Sequence, residues 1–456
     1  MELITQFIND LGNFIFIPLI FLILMKLLGR PLAECIRSAM KVGIGFIALT
    51  MTIGLMLDTM APAIKGMASH MGTQLNAIDV GGAATAVMGF GSSLGAIIIP
   101  LCVIINVVML MLRLTDCVNV DVFNLHQNAS MGAIVYAFSG NFLYGVLTAG
   151  LFHVWALIAA DLGAKNNNKF FHLPPGVSIS HPVANTYLIF AYPFHWLFSR
   201  IPGLRDWNVT TETIQKRFGV LGDPTIVGFI MGVLLGFLGY GWDDPYHTII
   251  SSLRLGMYLA AVMLLLPKMT SIMMEGLVLL SNAARKMLVK RFPNRNITVG
   301  MDTALIIGHP SVIAPALLLI PTIVVIAMFL PGNTVMPLGD LSQFVFFIAC
   351  MVPVFRGNII HTWLASAICF GGGLWIASWM AGPTTEVFLK FGAGGKAGVI
   401  YSSLNPSANP FTGLFAAASE IGIFAYLAIA VVLVAVGYLL KKHQRQAMAA
   451  EQQEAK

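Results

Sequence analysis

Residues Ser178 to Asn185 read S-I-S-H-P-V-A-N, and residues Ser402 to Asn409 repeat the pattern as S-S-L-N-P-S-A-N. Each octet places a polar residue before proline and ends on asparagine, within apolar surroundings. Proline lacks a backbone donor and disfavours helical angles in the residue before it, so neither octet fits inside a continuous helix. In a membrane protein, irregular backbone survives only where it is buried in protein or lines an aqueous cavity. The two octets therefore predict a shared solute site.

The composition indicates that the surrounding medium is lipid. Of the 456 residues, 57% are hydrophobic and 10% are charged, whereas soluble domains contain about a quarter charged residues. We therefore expect an integral membrane protein with a retained first helix and no nucleic-acid partner. The five cysteines lie mostly in apolar stretches without CxxC spacing, which indicates packing. No cofactor or metal is expected.

Apolar runs and loop charges predict the topology. The first two spans, 14–28 and 42–60, are joined by a loop rich in lysine and arginine. The positive-inside tendency places this loop in the cytoplasm and the amino terminus outside. In the second half the corresponding loop carries Asp243 and Asp244, and the next loop is basic. The halves therefore have opposite orientation, and about eleven crossings put the tail at 441–456 in the cytoplasm.

Landmarks that recur at a nearly constant offset of roughly 220 residues indicate an internal repeat. The matched pairs are Pro100 with Pro321, Asp121 with Asp340, Asn141 with Asn358, and His181 with Asn405. With the charge inversion, they predict an all-α membrane protein with an inverted-topology repeat of about five crossings and one re-entrant hairpin in each half. The halves are expected at 1–200 and 219–416, followed by a final helix at 420–440.

Each half divides into two parts in this scheme. Residues 1–60 and 219–282 are expected to form a frame. Residues 75–200 and 296–416, which contain the hairpins, are expected to form a compact unit around a pseudo-twofold axis. The substrate then binds near the middle of the bilayer.

Candidate site residues are polar side chains that apolar surroundings do not otherwise tolerate. They are His181, Asn185, Asn405 and Asn409 at the hairpin tips, and Asp79, Thr85, Asn124, His126, Gln127, Asp302, His309 and Asn358 on the helices, beside Asp340. Many are neutral amides, hydroxyls and imidazoles, which suits a polyhydroxylated neutral solute. An anion would require more arginine. No catalytic residue is expected.

Plainer interpretations stay open for several of these residues. Asn, Pro and Ser are ordinary turn formers, so the tips fit simple loops as well. Asp121 and Asp340 fit helix N-caps. His309 precedes Pro310 and fits a residue that only satisfies broken backbone.

Short motifs follow one another in a specific order through nearly the whole chain, to about Leu440. They include Asn119-Val120-Asp121, Asp302 with Gly308-His309, Gly339-Asp340-Leu341 and Arg356-Gly357-Asn358. This order resembles the galactitol-family permease subunit, enzyme IIC, of the bacterial phosphoenolpyruvate-dependent sugar phosphotransferase system.

The resemblance implies more than the residues do alone. The related ascorbate permease fold implies frame and core domains, two re-entrant hairpins, a homodimer and elevator-type movement in the bacterial inner membrane. The resemblance also implies that separate enzymes IIA and IIB supply the phosphoryl group. We expect IIB to dock on the basic loops at 200–217 and 285–295. His181-Pro182 departs from the expected family pattern, so a hexitol, a pentitol or another sugar remains open as the substrate.

A second class of function fits the polar residues too. A proton- or sodium-coupled polyol symporter would use Asp79, Asp302 or His309 as its coupling site. Dependence of uptake on an ion gradient separates the two functions.

Overall fold

The computed structural model describes residues 29–70, 76–119, 121–211, 224–291, 297–337, 339–391 and 397–454, with a few positions between 15 and 26. Most of these residues are helical. The expected first span at 14–28 and the expected start of the second half at 219 lie largely outside the described residues.

The first part of the chain contains six described helices and three short strands. In order they are α1 (Leu32–His70), β1 (Ala77–Asp79), α2 (Gly81–Gly91), α3 (Gly95–Met111), β2 (Cys117–Asn119), α4 (Val122–Ser139), α5 (Phe142–Phe171), β3 (Val177–Ile179) and α6 (Pro182–Phe198). The long apolar run from 77 to 112 is thus broken between α2 and α3, as its length predicts.

The second part repeats much of this order. It contains α7 (Pro224–Gly239), α8 (Pro245–Arg291), β4 (Thr298–Met301), α9 (Pro310–Phe329), β5 (Val335–Met336), α10 (Phe344–Ile348), α11 (Ile359–Trp379), α12 (Ala381–Phe391), β6 (Ile400–Ser402), α13 (Pro410–Ile421) and α14 (Ile423–Glu454). Single turns of 3₁₀-helix occupy Thr303–Leu305 and Leu341–Gln343.

The helical fold also contains six short extended segments, which the sequence did not predict and which pair into two small sheets. The strand orders are β5-β1-β6 and β2-β4-β3, and all pairs are parallel. Extended segments between helices leave backbone N–H and C=O groups open, and pairing satisfies them. In each sheet the central strand comes from one part of the chain and its neighbours from the other.

Four described helices are long and apolar enough to cross a membrane by length and composition. They are Phe142–Phe171, Pro310–Phe329, Ile359–Trp379 and Ile423–Gln446. Shorter apolar helices occur at Pro100–Met111 and Gly228–Gly239. The protein is therefore a helical membrane protein.

Helices α1, α7 and α8 pack together through glycines. Gly66 of α1 and Gly239 of α7 are so close that a Cβ atom on either would overlap the other helix, and Gly232 approaches Gly256 of α8 in the same way. Ser38 of α1 donates a hydrogen bond to Gly276 O of α8. Small residues allow such close contact, which favours association of helices in lipid.

The chain reverses direction between α5 and α6. Asn185, near the start of α6, donates to Ala156 O at 3.5 Å, and Tyr192, further along α6, accepts from Asn166 at 3.3 Å. The later residue of α6 contacts the later residue of α5, so α6 runs beside the second half of α5 in the same direction. The segment with β3 therefore runs back between them.

A second reversal follows α11. Gly373 of α11 lies against Ala408, and Ile376 lies against Gly413 of α13. Helix α13 therefore runs beside the end of α11 in the same direction, and the segment with α12 and β6 connects the two.

Residues 341–357 differ from the crossing that they match by sequence. Helix α4 is continuous, whereas only Phe344–Ile348 is α-helical in the second stretch. Met351 N donates to Ile348 O and Val354 N to Met351 O, which are bonds of a tighter turn. Pro353 explains the difference, because it lacks an N–H and disfavours helical angles in the residue before it.

Candidate functional site

Two helices begin at the centre of the candidate site, and each has proline as its first residue. Helix α6 begins at Pro182, and His181 Nδ1 accepts a hydrogen bond of 3.0 Å from the backbone three residues on. Helix α13 begins at Pro410, and Asn409 Oδ1 accepts one of 2.9 Å from the backbone two residues on. Proline suits a first position because its missing N–H would lack a helical partner. We name residues 180–186 the first tip and residues 403–411 the second tip.

The two tips do not correspond residue by residue. Only Ser180 and His181 separate β3 from α6, whereas residues 403–409 separate β6 from α13. The sequence pairing of His181 with Asn405 is therefore wrong at the helix starts, where His181 corresponds to Asn409. The sequence misleads here because the second tip contains two Asn-Pro pairs. Asn405-Pro406 lies inside the tip, and Asn409-Pro410 begins the helix.

The two tips contact each other, and both contact α5 at neighbouring residues. Thr186 Oγ1 accepts a hydrogen bond of 3.4 Å from Asn409 Nδ2. On α5, Ala156 contacts the first tip, and the ring of Trp155 stacks on Phe411 of the second tip with centroids 5.3 Å apart. Neighbouring residues of one helix thus touch both tips.

Helices α6 and α13 leave this junction in opposite directions. Helix α6 runs toward the C-terminal end of α5, where Tyr192 contacts Asn166. Helix α13 runs toward the N-terminal end of α5, because Gly422, just beyond it, lies beside Tyr144. Both helices therefore point their N-termini, the positive ends of their dipoles, at the junction.

At the first tip, His181 faces Gln127 and Asp302. Because Nδ1 accepts a backbone hydrogen bond, a neutral ring carries its hydrogen on Nε2. Nε2 lies 2.9 Å from the amide nitrogen of Gln127 and 3.8 Å from Asp302 Oδ2. Asp302 is buried, with 4% of its surface exposed, and its Oδ2 atom has no hydrogen-bond partner among the described residues. Nε2–H and the Gln127 amide nitrogen are thus two donors, and the buried acceptor of Asp302 lies beside the His181 ring.

Two asparagines extend this cluster. Asn124 Nδ2 donates to Ser180 Oγ at 3.1 Å, and Asn185 Nδ2 donates to Ile179 O at 3.0 Å. Within the described part of the chain no donor reaches the side-chain oxygen of Asn124 or Asn185, and both residues are fully buried. Each is held by its nitrogen and keeps an acceptor.

The second tip has a matching cluster around Asp340. Its Oδ2 atom accepts from Asn405 N at 3.0 Å and from Ser403 Oγ at 2.7 Å, which fixes the backbone of the tip. Oδ1 of Asp340 and the side-chain oxygen of Asn405 have no hydrogen-bond partner in the ranges that the structure covers. Asp340 makes no side-chain cap bond to the 3₁₀ turn that follows it, so the N-cap interpretation is wrong for it.

Two further aspartates join distant parts of the chain. Asp79 Oδ2 accepts from Asp340 N at 2.7 Å, and Asp121 Oδ2 accepts from Asp302 N at 2.9 Å. Asp79 Oδ1 also accepts from Gly81 N at 3.1 Å. Asp79 and Asp121 therefore hold the backbone of the two aspartates that face the tips.

Helix α4 supplies three predicted residues within one turn, Asn124, His126 and Gln127, and all are buried. Asn124 and Gln127 lie three positions apart, share a helix face and reach the first tip. The backbone carbonyl of His126 accepts from Ser130 Oγ at 2.7 Å. The helix thus aims two amides at the junction.

Three predicted residues instead stabilise helices. Asn358 caps α11 through Oδ1, and its Nδ2 donates to Trp207 O at 2.6 Å. His309 caps α9 through Nδ1 and is partly buried, as its plainer interpretation expects. Thr85 donates to Gly82 O at 2.8 Å on its own helix.

The sequence does not mark two aromatic residues of the junction. Trp155 stacks on the second tip, and Tyr187 of α6 packs on Phe370 with ring centroids 4.4 Å apart. Aromatic residues on apolar helices usually belong to the core, so their type gives no signal. The one available signal is that Tyr187 follows Asn185 by two residues.

Five buried acceptor oxygens at the junction have no donor among the described residues. They are Oδ1 of Asn124, Asn185, Asp340 and Asn405, and Oδ2 of Asp302. A buried acceptor without a donor costs about 1–3 kcal/mol, so a solute that brings several hydroxyl donors gains by binding here. In the described ranges no group of three His, Cys, Asp or Glu residues is placed to hold a metal ion.

Comparison with known proteins agrees with this chemistry. The family model EIIC-GAT, described as "PTS system sugar-specific permease component", matches residues 6–399. The chain is 33% identical over 411 residues to the "PTS system galactitol-specific EIIC component" of Escherichia coli strain K12, covering 90% of this chain and 89% of the relative. The protein of that name from E. coli O157:H7 gives the same values. A "Putative permease IIC component" of strain K12 is 34% identical over 388 residues, covering 85% of this chain and 87% of the relative. The chain therefore belongs to the EIIC-GAT family of sugar-specific permease components of the phosphotransferase system.

Proposed function

We propose that the protein carries galactitol or a closely related sugar alcohol across the bacterial inner membrane, with phosphorylation by a separate enzyme IIB that enzyme IIA supplies. Two relatives are named as galactitol-specific components. The observation that carries the proposal is the set of five buried acceptor oxygens that lack donors among the described residues. Each hydroxyl of a polyol can donate to one of them and accept from a donor such as His181 Nε2.

The same oxygens disfavour an anionic substrate. A phosphate or carboxylate brings acceptor oxygens, which would face the acceptors of Asp302, Asp340 and Asn405. Helix N-termini attract anions through free backbone N–H groups. Here the His181 and Asn409 side chains each already accept a hydrogen bond from one backbone N–H at the start of their helix. A neutral polyol therefore fits better, and its phosphorylated product fits worse, which favours release.

The proposed architecture is the inverted repeat, with halves at 1–200 and 219–416, about eleven crossings and two re-entrant hairpins. Two features support it. Each sheet mixes strands of both parts, and α6 and α13 approach the junction from opposite ends of α5. Such a pair of opposed half-helices suits a binding site near the middle of the bilayer.

We further propose that α1, α7 and α8 belong to the frame and that the remaining helices move with the substrate in an elevator-type transition. The close glycine packing of these three helices supports a rigid frame. A homodimer through the frame belongs to the same proposal, and cross-linking in native membranes tests it.

The proposed orientation has the amino terminus outside and the C-terminal tail in the cytoplasm. Single cysteines at Ile421, which is 76% exposed, and at the exposed Arg200 test it. A membrane-impermeant thiol reagent should label position 421 on intact cells and position 200 only after permeabilisation. The reverse pattern would overturn the orientation.

Enzyme IIB is proposed to dock on the basic cytoplasmic loops, of which residues 212–217 and 292–295 lie outside the described residues. In the described portion, Arg200 lies 4.1 Å over the exposed Trp196 ring. Arg200→Glu should raise the IIB concentration needed for half-maximal phosphorylation and leave galactitol binding unchanged. An unchanged IIB requirement would remove this loop from the interface.

The test of function uses inverted membrane vesicles that contain the protein, with purified IIA, IIB and the general phosphotransferase proteins. Galactitol phosphate should form from phosphoenolpyruvate only when all components are present, and a proton ionophore should not stop it. The symporter alternative is not favoured, because the family and relatives are phosphotransferase components. Accumulation of free galactitol that the ionophore abolishes would contradict the proposal.

A further inference from the structure

Tyr187 presents a buried hydroxyl that the substrate site described so far does not use. The residue is 0% exposed, and its hydroxyl has no hydrogen-bond partner among the residues that the structure describes. Its ring packs on Phe370, which packs in turn on Phe344 with centroids 4.9 Å apart. The ring is therefore fixed by neighbours from the second part of the chain, and the hydroxyl cannot reach water by rotating.

Tyr187 belongs to the part of α6 that meets the second tip. The preceding residue, Thr186, contacts Asn409, and Phe344, which packs on Phe370 beside the Tyr187 ring, follows Asp340 by four residues. Asp340 Oδ1 and Asn405 Oδ1 are the acceptors of this tip that lack donors in the described ranges. One buried donor and two buried acceptors that lack partners among the described residues thus belong to segments that pack against one another.

We infer that Tyr187, Asp340 and Asn405 form a second subsite, which binds a terminal hydroxyl of the sugar alcohol. This inference rests on the proposed function and adds a specificity-determining residue to it. A single hydroxyl can accept from Tyr187 and donate to Asp340 or Asn405, so it satisfies a donor and an acceptor that otherwise stay unpaired. The cluster of His181, Gln127 and Asp302 then holds the other end of the chain of hydroxyls.

The subsite makes the protein sensitive to the end of the substrate. A polyol that lacks both terminal hydroxyls leaves Tyr187 and Asp340 buried and unpaired, which a site built for a hydroxyl rejects strongly. Galactitol is symmetric end to end, so either end fills the subsite. Its analogue 1,6-dideoxygalactitol has a methyl group at each end, so neither end can fill the subsite.

The experiment measures equilibrium binding of radiolabelled galactitol and 1,6-dideoxygalactitol to the purified full-length protein. Tyr187→Phe keeps the ring packing and removes only the hydroxyl. Tyr426→Phe is the matched control, because Tyr426 is also buried but donates to Phe415 O at 3.1 Å, away from the junction. Melting temperatures show that both variants fold.

Tyr187→Phe should raise the Kd for galactitol about fivefold, the effect of one hydrogen bond, and change that for 1,6-dideoxygalactitol less than twofold. Tyr426→Phe should change neither. Unchanged galactitol affinity in Tyr187→Phe, or an equal loss of affinity for both ligands, would overturn the subsite. The proposed function would still stand in that case, provided that the wild-type protein binds galactitol. Absence of galactitol binding by the wild-type protein would overturn both.

Discussion

Asp302 and Asn358 look alike in the sequence, as polar residues between apolar runs, but their partners differ. Asp302 has one oxygen directed at His181 and without a hydrogen-bond partner among the described residues. Asn358 uses its oxygen as a helix cap and its nitrogen on Trp207 O. A candidate substrate-binding residue thus has a polar atom without a local hydrogen-bond partner, whereas a structural residue uses its polar atoms within the protein.

The change Asp302→Asn tests this distinction. It replaces one carboxylate oxygen with an NH₂ group, which donates and therefore cannot accept from a substrate hydroxyl. We expect the KM for galactitol in phosphoenolpyruvate-dependent phosphorylation to rise about tenfold, since a buried polar group left unpaired costs about 1–3 kcal/mol. An unchanged KM would contradict the assignment of Asp302.

The matched change is Asn358→Ala. It should lower the free energy of unfolding by about 1 kcal/mol, the usual value of a helix N-cap, and leave the KM for galactitol unchanged. Thermal unfolding and phosphorylation kinetics of the same preparation measure both. A KM that rises as much as in Asp302→Asn would return Asn358 to the substrate site.

The sequence predicted the polar residues of the junction because charge and amides are costly in lipid. His181, Gln127 and Asp302 were found in this way. The same reasoning also selected Asn358 and Thr85, because composition cannot show whether a polar atom is satisfied locally. It missed Tyr187, because only the structure shows that its hydroxyl lacks a partner within the described residues.

At the scale of elements, the close packing of α1 against α7 depends on glycine. A Cβ atom at Gly239 would overlap the backbone of Ala63, whereas one at Gly372 of α11 would meet open space. Gly239→Ala therefore forces α1 and α7 apart, while Gly372→Ala does not disturb its neighbours.

Gly239→Ala should lower the free energy of unfolding by about 1–3 kcal/mol, the usual cost of overpacking. The control Gly372→Ala should cause no loss, since alanine favours helices over glycine by about 1 kcal/mol. Unfolding of both proteins in mixed detergent micelles measures the difference. Equal stability of the two variants would show that α1 and α7 do not approach as described.

Apolar runs and loop charges located most of the described helices, and the two proline octets located the tips, but the sequence did not predict three features of the elements. The strands are only two to four residues long, too short for an alternating pattern. The second tip has extra residues between β6 and α13, and the similarity of the octets at 178–185 and 402–409 does not reveal them. Pro353 was visible, but its effect on 349–357 depends on packing that a sequence does not reveal.

At the scale of the whole molecule, α5 serves as the common reference for both tips. It contacts Asn185 through Ala156 and Phe411 through Trp155. The two helices then diverge toward its opposite ends. A solute held between the tips is thereby surrounded by residues from both parts of the chain, so a shift of either part changes the site.

The most direct test of the opposed tips is a cross-link between cysteines at Thr186 and Asn409, in a protein whose five native cysteines are replaced. These side chains are 3.4 Å apart at their polar ends. A short bifunctional thiol reagent should join positions 186 and 409 in native membranes. It should not join positions 186 and 421, because Ile421 lies at the far end of α13. Absence of the first cross-link, or equal yield of both, would contradict the meeting of the two tips on which the proposed site depends.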